Sequence, residues 1–279
     1  MKQRAVGRRA LVALLTYTAI LLVLIWVLFP VVWVVLGSLK ARDLAAAVPP
    51  VWIFEPSFDN YSAAFLRRNF GILFVNSLVA TVASTIVVLL LGSMAGYALA
   101  RFKIVGKQNI LFWILSTRMF PPIAAVIPIF LLFNDLRLID TRQGLVLLYI
   151  AFNLPFAIWI MRGFFAEIPS ELDDAAMVDG CTPWQAFTRV IMPLAAPGLA
   201  ATAIFCMMFS WNEFLFALII SRAQSQTLPI GVMGFITQRG VLWGEMSAAA
   251  TVIMTPMIVF TFLVQRYLIR GLTFGAVKG

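Results

Sequence analysis

The chain has 279 residues, 62% of them hydrophobic and 12% charged, with a formal net charge of +9 and a mean hydropathy of +0.97. A soluble domain is about half apolar and about a quarter charged, so charge this sparse excludes a water-soluble globule and makes lipid the main solvent. The positive balance does not indicate nucleic acid, because Lys and Arg collect at loops and tails instead of forming a basic run interleaved with aromatics.

Histidine is absent, which removes the commonest general base, proton shuttle and metal ligand. Of the two cysteines, Cys181 falls in a polar loop and Cys206 in an apolar run, so no disulfide framework is expected. Neither catalytic residues, nor a metal site, nor a resident cofactor is expected on this chain.

The N-tail, residues 1–10, carries Lys2, Arg4, Arg8 and Arg9. The apolar stretch at 11–36 is far longer than the roughly 7–15 residues of a cleavable signal, so it is expected to remain as the first transmembrane helix. A more polar external segment covers 37–71. A core over 72–269 follows, with five further apolar stretches at 72–100, 109–133, 144–165, 195–220 and 246–269, each near the roughly 20 residues that cross a bilayer. The C-tail is 270–279.

The predicted fold is therefore an all-α integral membrane protein with six transmembrane helices and both tails on one side. That side holds the larger share of Lys and Arg, including the dense N-tail cluster, and the positive-inside rule makes it the cytoplasm. Pro121, Pro122 and Pro128 predict a kink or break in the third span, and both plain bending and a solute-lining break fit.

Between the fourth and fifth spans lies the most informative loop, 166–194. Ser170 is placed to cap a helix, with Asp173 three residues on to return the bond and Glu171, Asp173 and Asp174 in the favoured first turn. Gly180 suits a left-handed helix end. Thr182, Pro183 and Gln185 then compose a second capped start. The expected product is a helix-turn-helix outside the bilayer, apolar through Leu172, Ala175, Ala176, Trp184, Phe187 and Val190. A knob that docks a partner and a knob tucked against its own bundle both fit this pattern.

The run from Asp174 to Gly180, followed by Ile191-Met192-Pro193, resembles the EAA loop of binding-protein-dependent ABC importer permeases, with Asp174 in place of Glu and Met192 in place of Leu. The resemblance extends to Asn76-Ser77-Leu78, to Trp211-Asn212-Glu213-Phe214, and to the ending Gly271 to Gly279, which is similar to the smaller permease of maltose-type carbohydrate importers. It implies that the loop docks in an ATPase cleft through Glu171, Asp174, Ala175, Ala176, Asp179, Gly180, Thr182, Pro183 and Trp184. It further implies that the tail (Gly275, Lys278, Gly279) reaches between two ATPases. The implied partners are a second homologous permease, two ATPase subunits, an extracytoplasmic solute-binding protein and membrane lipid. No phosphate-cradling Gly-x-x-x-x-Gly-Lys-Ser/Thr sequence occurs, so ATP and Mg belong to the partner ATPase.

A gradient-driven secondary transporter is the alternative class, but it needs intramembrane acids or histidines, and the spans offer only Glu213 and Arg118 as obvious ionisable groups. Asn212, Glu213 and Asn76 are the candidate solute-pathway residues. Arg118 comes early in an outward-running span and Glu213 late in another, so the two are not expected to pair.

Overall fold

The computed structural model describes residues 2–67, 69–238 and 240–276, with side chains described over 11–66, 69–238 and 240–265. In chain order the helices are α1 (Lys2–Ser38), α2 (Arg42–Ala45), α3 (Asp59–Arg67), α4 (Phe70–Arg101), α5 (Lys107–Met119), α6 (Pro122–Asp135) and α7 (Arg142–Glu167). Then come α8 (Glu171–Val178) and α9 (Pro183–Gln185), the latter running through a π-helical turn (Ala186–Ile191) into α10 (Met192–Leu194). The chain closes with α11 (Ala196–Trp211), α12 (Leu215–Ile220), α13 (Leu228–Met233), the antiparallel pair β1 (Ile236–Thr237) and β2 (Gly240–Val241), and α14 (Trp243–Ala276).

Among the described residues, four helical stretches are long and apolar enough to cross a membrane: Leu11–Ser38, Phe70–Arg101, Arg142–Glu167 and Trp243–Gln265. Two bent pairs, Lys107–Met119 with Pro122–Asp135 and Pro183–Leu194 with Ala196–Trp211, raise the candidates to six if each pair is one span. The stretch read as a continuous span at 109–133 is two helices meeting at 94°. Pro121 pushes the preceding Phe120 into extended backbone (φ −67°, ψ 130°), and Pro122 then opens α6 at a position where its missing N–H costs nothing. The stretch read at 195–220 is also broken: α11 stops at Trp211 and α12 starts at Leu215.

The chain divides into two compact units, residues 1–69 with 234–253 and residues 70–233 with 254–279. In the first, the segment expected as an external connector is stitched into structure. The buried Asn60 amide donates to the carbonyls of Ser38 (3.0 Å) and Lys40 (2.6 Å), the Ser38 and Tyr61 hydroxyls bond at 2.8 Å, and Arg42 pairs with Glu245. The Lys40 ammonium lies over the Trp33 and Phe54 rings.

The second unit is built inside out relative to a soluble bundle. On α4 most of the buried positions are small or polar (Asn76, Ser77, Thr81, Ser84, Thr85 and Ser93 among them), while Ile72, Val75, Val82, Ile86 and Leu90 are exposed. Lipid is as apolar as leucine, so packing between membrane helices relies on close approach and hydrogen bonds. Both occur here. A Cβ on Gly92 would lie 2.9 Å from Ala157 Cβ, and one on Gly96 would lie 2.9 Å from Arg162 N, so this Gly-x-x-x-Gly step lets α4 and α7 touch backbone to backbone. Deeper in, Asn153 of α7 donates to the Ser210 hydroxyl of α11 (2.8 Å), which also meets Ser84 of α4 (3.4 Å).

Candidate docking site

The segment between α7 and α11 forms a knob of two helical pieces. Gly180 adopts φ +86°, as a left-handed helix end requires, and nothing lies within 4 Å of where its Cβ would be. Thr182 and Gln185 make the expected reciprocal capping box: the Thr182 N–H donates to Gln185 Oε1 (2.8 Å) and the Gln185 N–H to Thr182 Oγ1 (3.3 Å). The first cap differs from expectation. Ser170 makes no side-chain cap, and Asp173 does not return a bond to it. Asp173 turns inward instead, because a guanidinium and a phenol give a carboxylate stronger, charge-assisted bonds than one main-chain amide can.

The knob is tucked on one face and open on the other. Ala176, Phe187 and Ile191 are buried, with Phe187 and Ile191 packed with Met161 and Phe165 of α7. Of the residues implied to dock, Ala176 is therefore covered by the chain itself. The others, Glu171, Asp174, Ala175, Asp179, Gly180, Thr182, Pro183 and Trp184, are all exposed. Beside them stand Leu172, Met177 and Val178, and Val178 is 86% exposed. This outward surface mixes acids with large apolar side chains, the composition of a protein-binding patch with a polar rim.

Behind that surface is an arrangement the sequence did not disclose. Arg101, the last residue of α4, donates from Nε to Asp173 Oδ2 (2.8 Å) and from Nη2 to the Ile168 carbonyl (2.8 Å). Tyr97, one turn earlier, donates its hydroxyl to Asp173 Oδ1. The Tyr97 ring lies 4.7 Å from that of Phe187 and 5.6 Å from that of Phe165. An arginine at the end of an apolar span has the composition of any interfacial anchor, so no local pattern marks it as a partner for Asp173.

The interior candidates occupy three different settings. Asn76 is fully buried and its amide is committed: Nδ2 donates to the Gln224 and Gln226 carbonyls (2.9 Å each), and Oδ1 accepts from Arg142 Nε (2.7 Å). Asn212 is exposed and donates back to the Met208 carbonyl (2.9 Å). The Glu213 carboxylate accepts the N–H groups of Phe216 and Ala217 at 2.9 Å each, restarting the helix as α12. Arg118 is engaged elsewhere, as expected: its guanidinium sits 4.7 Å from the Phe209 ring centroid, with Phe152 and Phe156 near by, and donates to the Phe152 carbonyl (3.1 Å). Of the tail residues, Gly275 falls where α14 side chains are not described, and Lys278 and Gly279 lie outside the described residues.

At the end of the unit opposite the knob, the loop after α12 is held by Asp140. Its carboxylate accepts the N–H groups of Arg222 (2.8 Å), Gln224 (3.0 Å) and Ser225 (3.0 Å) and the Ser225 hydroxyl (3.0 Å). Partial burial pushes the Asp140 carboxyl up, but these donors outweigh it and hold the group below the usual carboxylate range.

Long apolar helices with buried polar faces, joined to an exposed paired-helix knob, mark a multi-pass membrane protein. The chain belongs to the family described as binding-protein-dependent transport system inner membrane component, which matches residues 89–274. It is 40% identical over 271 residues to the trehalose transport system permease protein SugB of Mycobacterium tuberculosis, covering 95% of this chain and 98% of that one. It is 36% identical over 264 residues to the diacetylchitobiose uptake system permease protein DasC of Streptomyces coelicolor, covering 94% and 95%. Its fold matches that of a chain in a bacterial ABC transporter involved in import of the acidic polysaccharide alginate, with a TM-score of 0.76 at 23% identity, over 92% of this chain and 96% of that one. The chain is thus a membrane permease of the binding-protein-dependent ABC importer type, a transport subunit.

Proposed function

We propose that this permease carries a sugar or sugar-like solute (an oligosaccharide, monosaccharide or polyol) across the cytoplasmic membrane as one of two homologous permeases, driven by ATP hydrolysis on two partner ATPase subunits. ATP and Mg are held by those partners. The broken stretches 109–133 and 195–220 each count as one span, giving six, and both termini and the knob lie in the cytoplasm, in keeping with the Lys and Arg bias. An extracytoplasmic binding protein delivers solute to the opposite side, where 37–71 and 221–245 face it. Asn212, Glu213 and Asn76 border the pathway, and Gly275, Lys278 and Gly279 reach the ATPases.

The observation that carries this reading is the open face of the knob, whose acidic and apolar side chains, Asp174, Val178 and Trp184 among them, are left exposed by the described residues. Nucleotide drives transport only by binding one arrangement of the bundle better than the other, and the knob is the element through which that preference is passed on. Purification through a tag on this chain, in mild detergent, tests it. Two ATPase subunits should copurify from native membranes, and an Asp174→Lys, Trp184→Ala variant should lose them while still accumulating. The ligand released from the copurifying binding protein then names the solute. Recovery of the chain without any ATPase would sink the reading.

A further inference from the structure

We infer that Asp173, gripped by Tyr97 and Arg101, is a positioning latch that makes the knob and α4 move as one body. The inference rests on the reading that the knob receives the ATPase, and adds how the displacement enters the membrane.

The knob hangs from α7 by Ile168, Pro169 and Ser170. Ile168 is extended (φ −77°, ψ 126°) and Ser170 leaves its cap unmade, so this short linker has the makings of a hinge. A hinge there would absorb a push on the knob. The latch spans it from the side. Arg101 binds the linker at the Ile168 carbonyl and α8 at Asp173, while the Tyr97 ring packs on Phe187 in the second half of the knob. Residues 97 and 101 are one turn apart on the same face of α4, so both halves of the knob are held by one rigid edge. The Arg101 and Asp173 side chains are 12% and 11% exposed, which shields the pair from solvent screening. Gly96, next to Tyr97, is where α4 meets the α7 backbone, so motion given to the end of α4 passes into the tightest helix pair of the unit. Adjacent carboxylates thus have opposite duties: Asp174 faces outward and Asp173 inward.

Spin labels at Met94→Cys on α4 and Val178→Cys at the knob tip, both exposed positions, report the coupling directly. The background is Cys181→Ser, Cys206→Ala, and the sample is the copurified complex, first without nucleotide and then with ATP and orthovanadate. With the native latch, the label distance stays constant between states, within the roughly 1–2 Å by which packed helices slide. In Asp173→Asn it shifts and broadens in the trapped state, although ATPase retention and ATP hydrolysis persist. Arg101→Lys, which keeps the charge, restores part of the native behaviour. If Asp173→Asn fails to accumulate, Tyr97→Phe keeps the ring, loses the hydroxyl and carries the same expectation. A native distance that changes on trapping, or an unchanged distance in the latch variants, overturns the inference while leaving the docking reading intact. A native chain that retains no ATPase overturns both.

Discussion

Two carboxylates hold the two ends of the second unit, and they do so with different materials. Asp173 at the knob is bound, among the described residues, by the side chains of Tyr97 and Arg101 and by no main-chain group of another segment. Asp140 at the opposite end receives three main-chain N–H groups and one hydroxyl from 222–225, and Asn76 then fixes the same loop through the Gln224 and Gln226 carbonyls. A side-chain grip depends on the identity of each partner and fails at one substitution. A main-chain grip fixes the path of a loop whatever its side chains are, and here Arg222, Ala223 and Gln224 remain exposed. The first arrangement suits an element that must transmit movement, the second a fixed frame whose surface is free to vary with what it meets.

The largest expected effect breaks the knob's side of this comparison. Asp173→Ala leaves the Arg101 guanidinium buried without its acid, a change that costs about 3–5 kcal/mol for a well-buried pair. Cys206 is fully buried and supplies a native reporter, since its alkylation requires unfolding. The temperature at which Cys206 becomes reactive in the detergent-solubilised complex should fall well below that of the parent. A shift no larger than that of a surface substitution would show the pair to be ornamental.

Gly180→Val is next, at roughly 1–2 kcal/mol, because a β-branched residue is strained at φ +86°. There is open space around the missing Cβ, so backbone strain is the whole effect. The knob's turn, and with it ATPase retention, should suffer while the membrane helices keep their stability. Gly180→Asn, which enters the left-handed region more readily, should suffer less.

The knob and the loop were unequally legible in the sequence. Gly180, Thr182 and Gln185 act within a few residues of themselves, so spacing alone gives their roles. The small-in, large-out pattern of α4 reads as an apolar run for the same local reason. Asp173 and Ser170 compose an equally good local signal, yet the tertiary pair with Arg101 overrides it. The breaks at Phe120 and Asn212 differ in the same way. Consecutive prolines announce the first, whereas the second depends on Glu213 finding the N–H groups of Phe216 and Ala217, which an apolar count reads as one continuous span. Asn76 is legible as a polar residue in an apolar helix, but its partners are not, since Arg142 and the Gln224 and Gln226 carbonyls lie 66, 148 and 150 residues away.

A smaller effect is expected at the second knob helix. Thr182→Ala removes one side of the capping box and leaves the Gln185 N–H without its acceptor, at a cost of about 1 kcal/mol. Thr182→Ser should restore it. Because this cap is exposed and local, Cys206 reactivity should barely move. Proteolysis at the knob should accelerate in the alanine variant alone, separating local fraying from loss of the latch.

The smallest effect sharpens the other side of the comparison, through pH. The folded Asp140 carboxyl lies below the usual range, so it binds fewer protons folded than unfolded near its titration. Its contribution is therefore fully present above the unfolded value, about 3.9, and is lost as pH falls through the lower folded value. Neutralising Asp140 weakens four hydrogen bonds, but the group is only partly covered, and solvent screening holds the expected effect under about 1 kcal/mol. Acid acts on the whole protein, so the test is a difference. Gln224→Cys places a label on the loop, and its reaction rate is followed from about pH 7 to about pH 3 with a reagent whose own pH dependence is measured on a free thiol. With Asp140 present, loop accessibility should rise as the pH drops below about 4. With Asp140→Asn it should be raised already at neutral pH, and the acid-dependent step should shrink. Identical profiles in the two proteins would mean that Asn76 and the main chain hold this loop without the Asp140 charge.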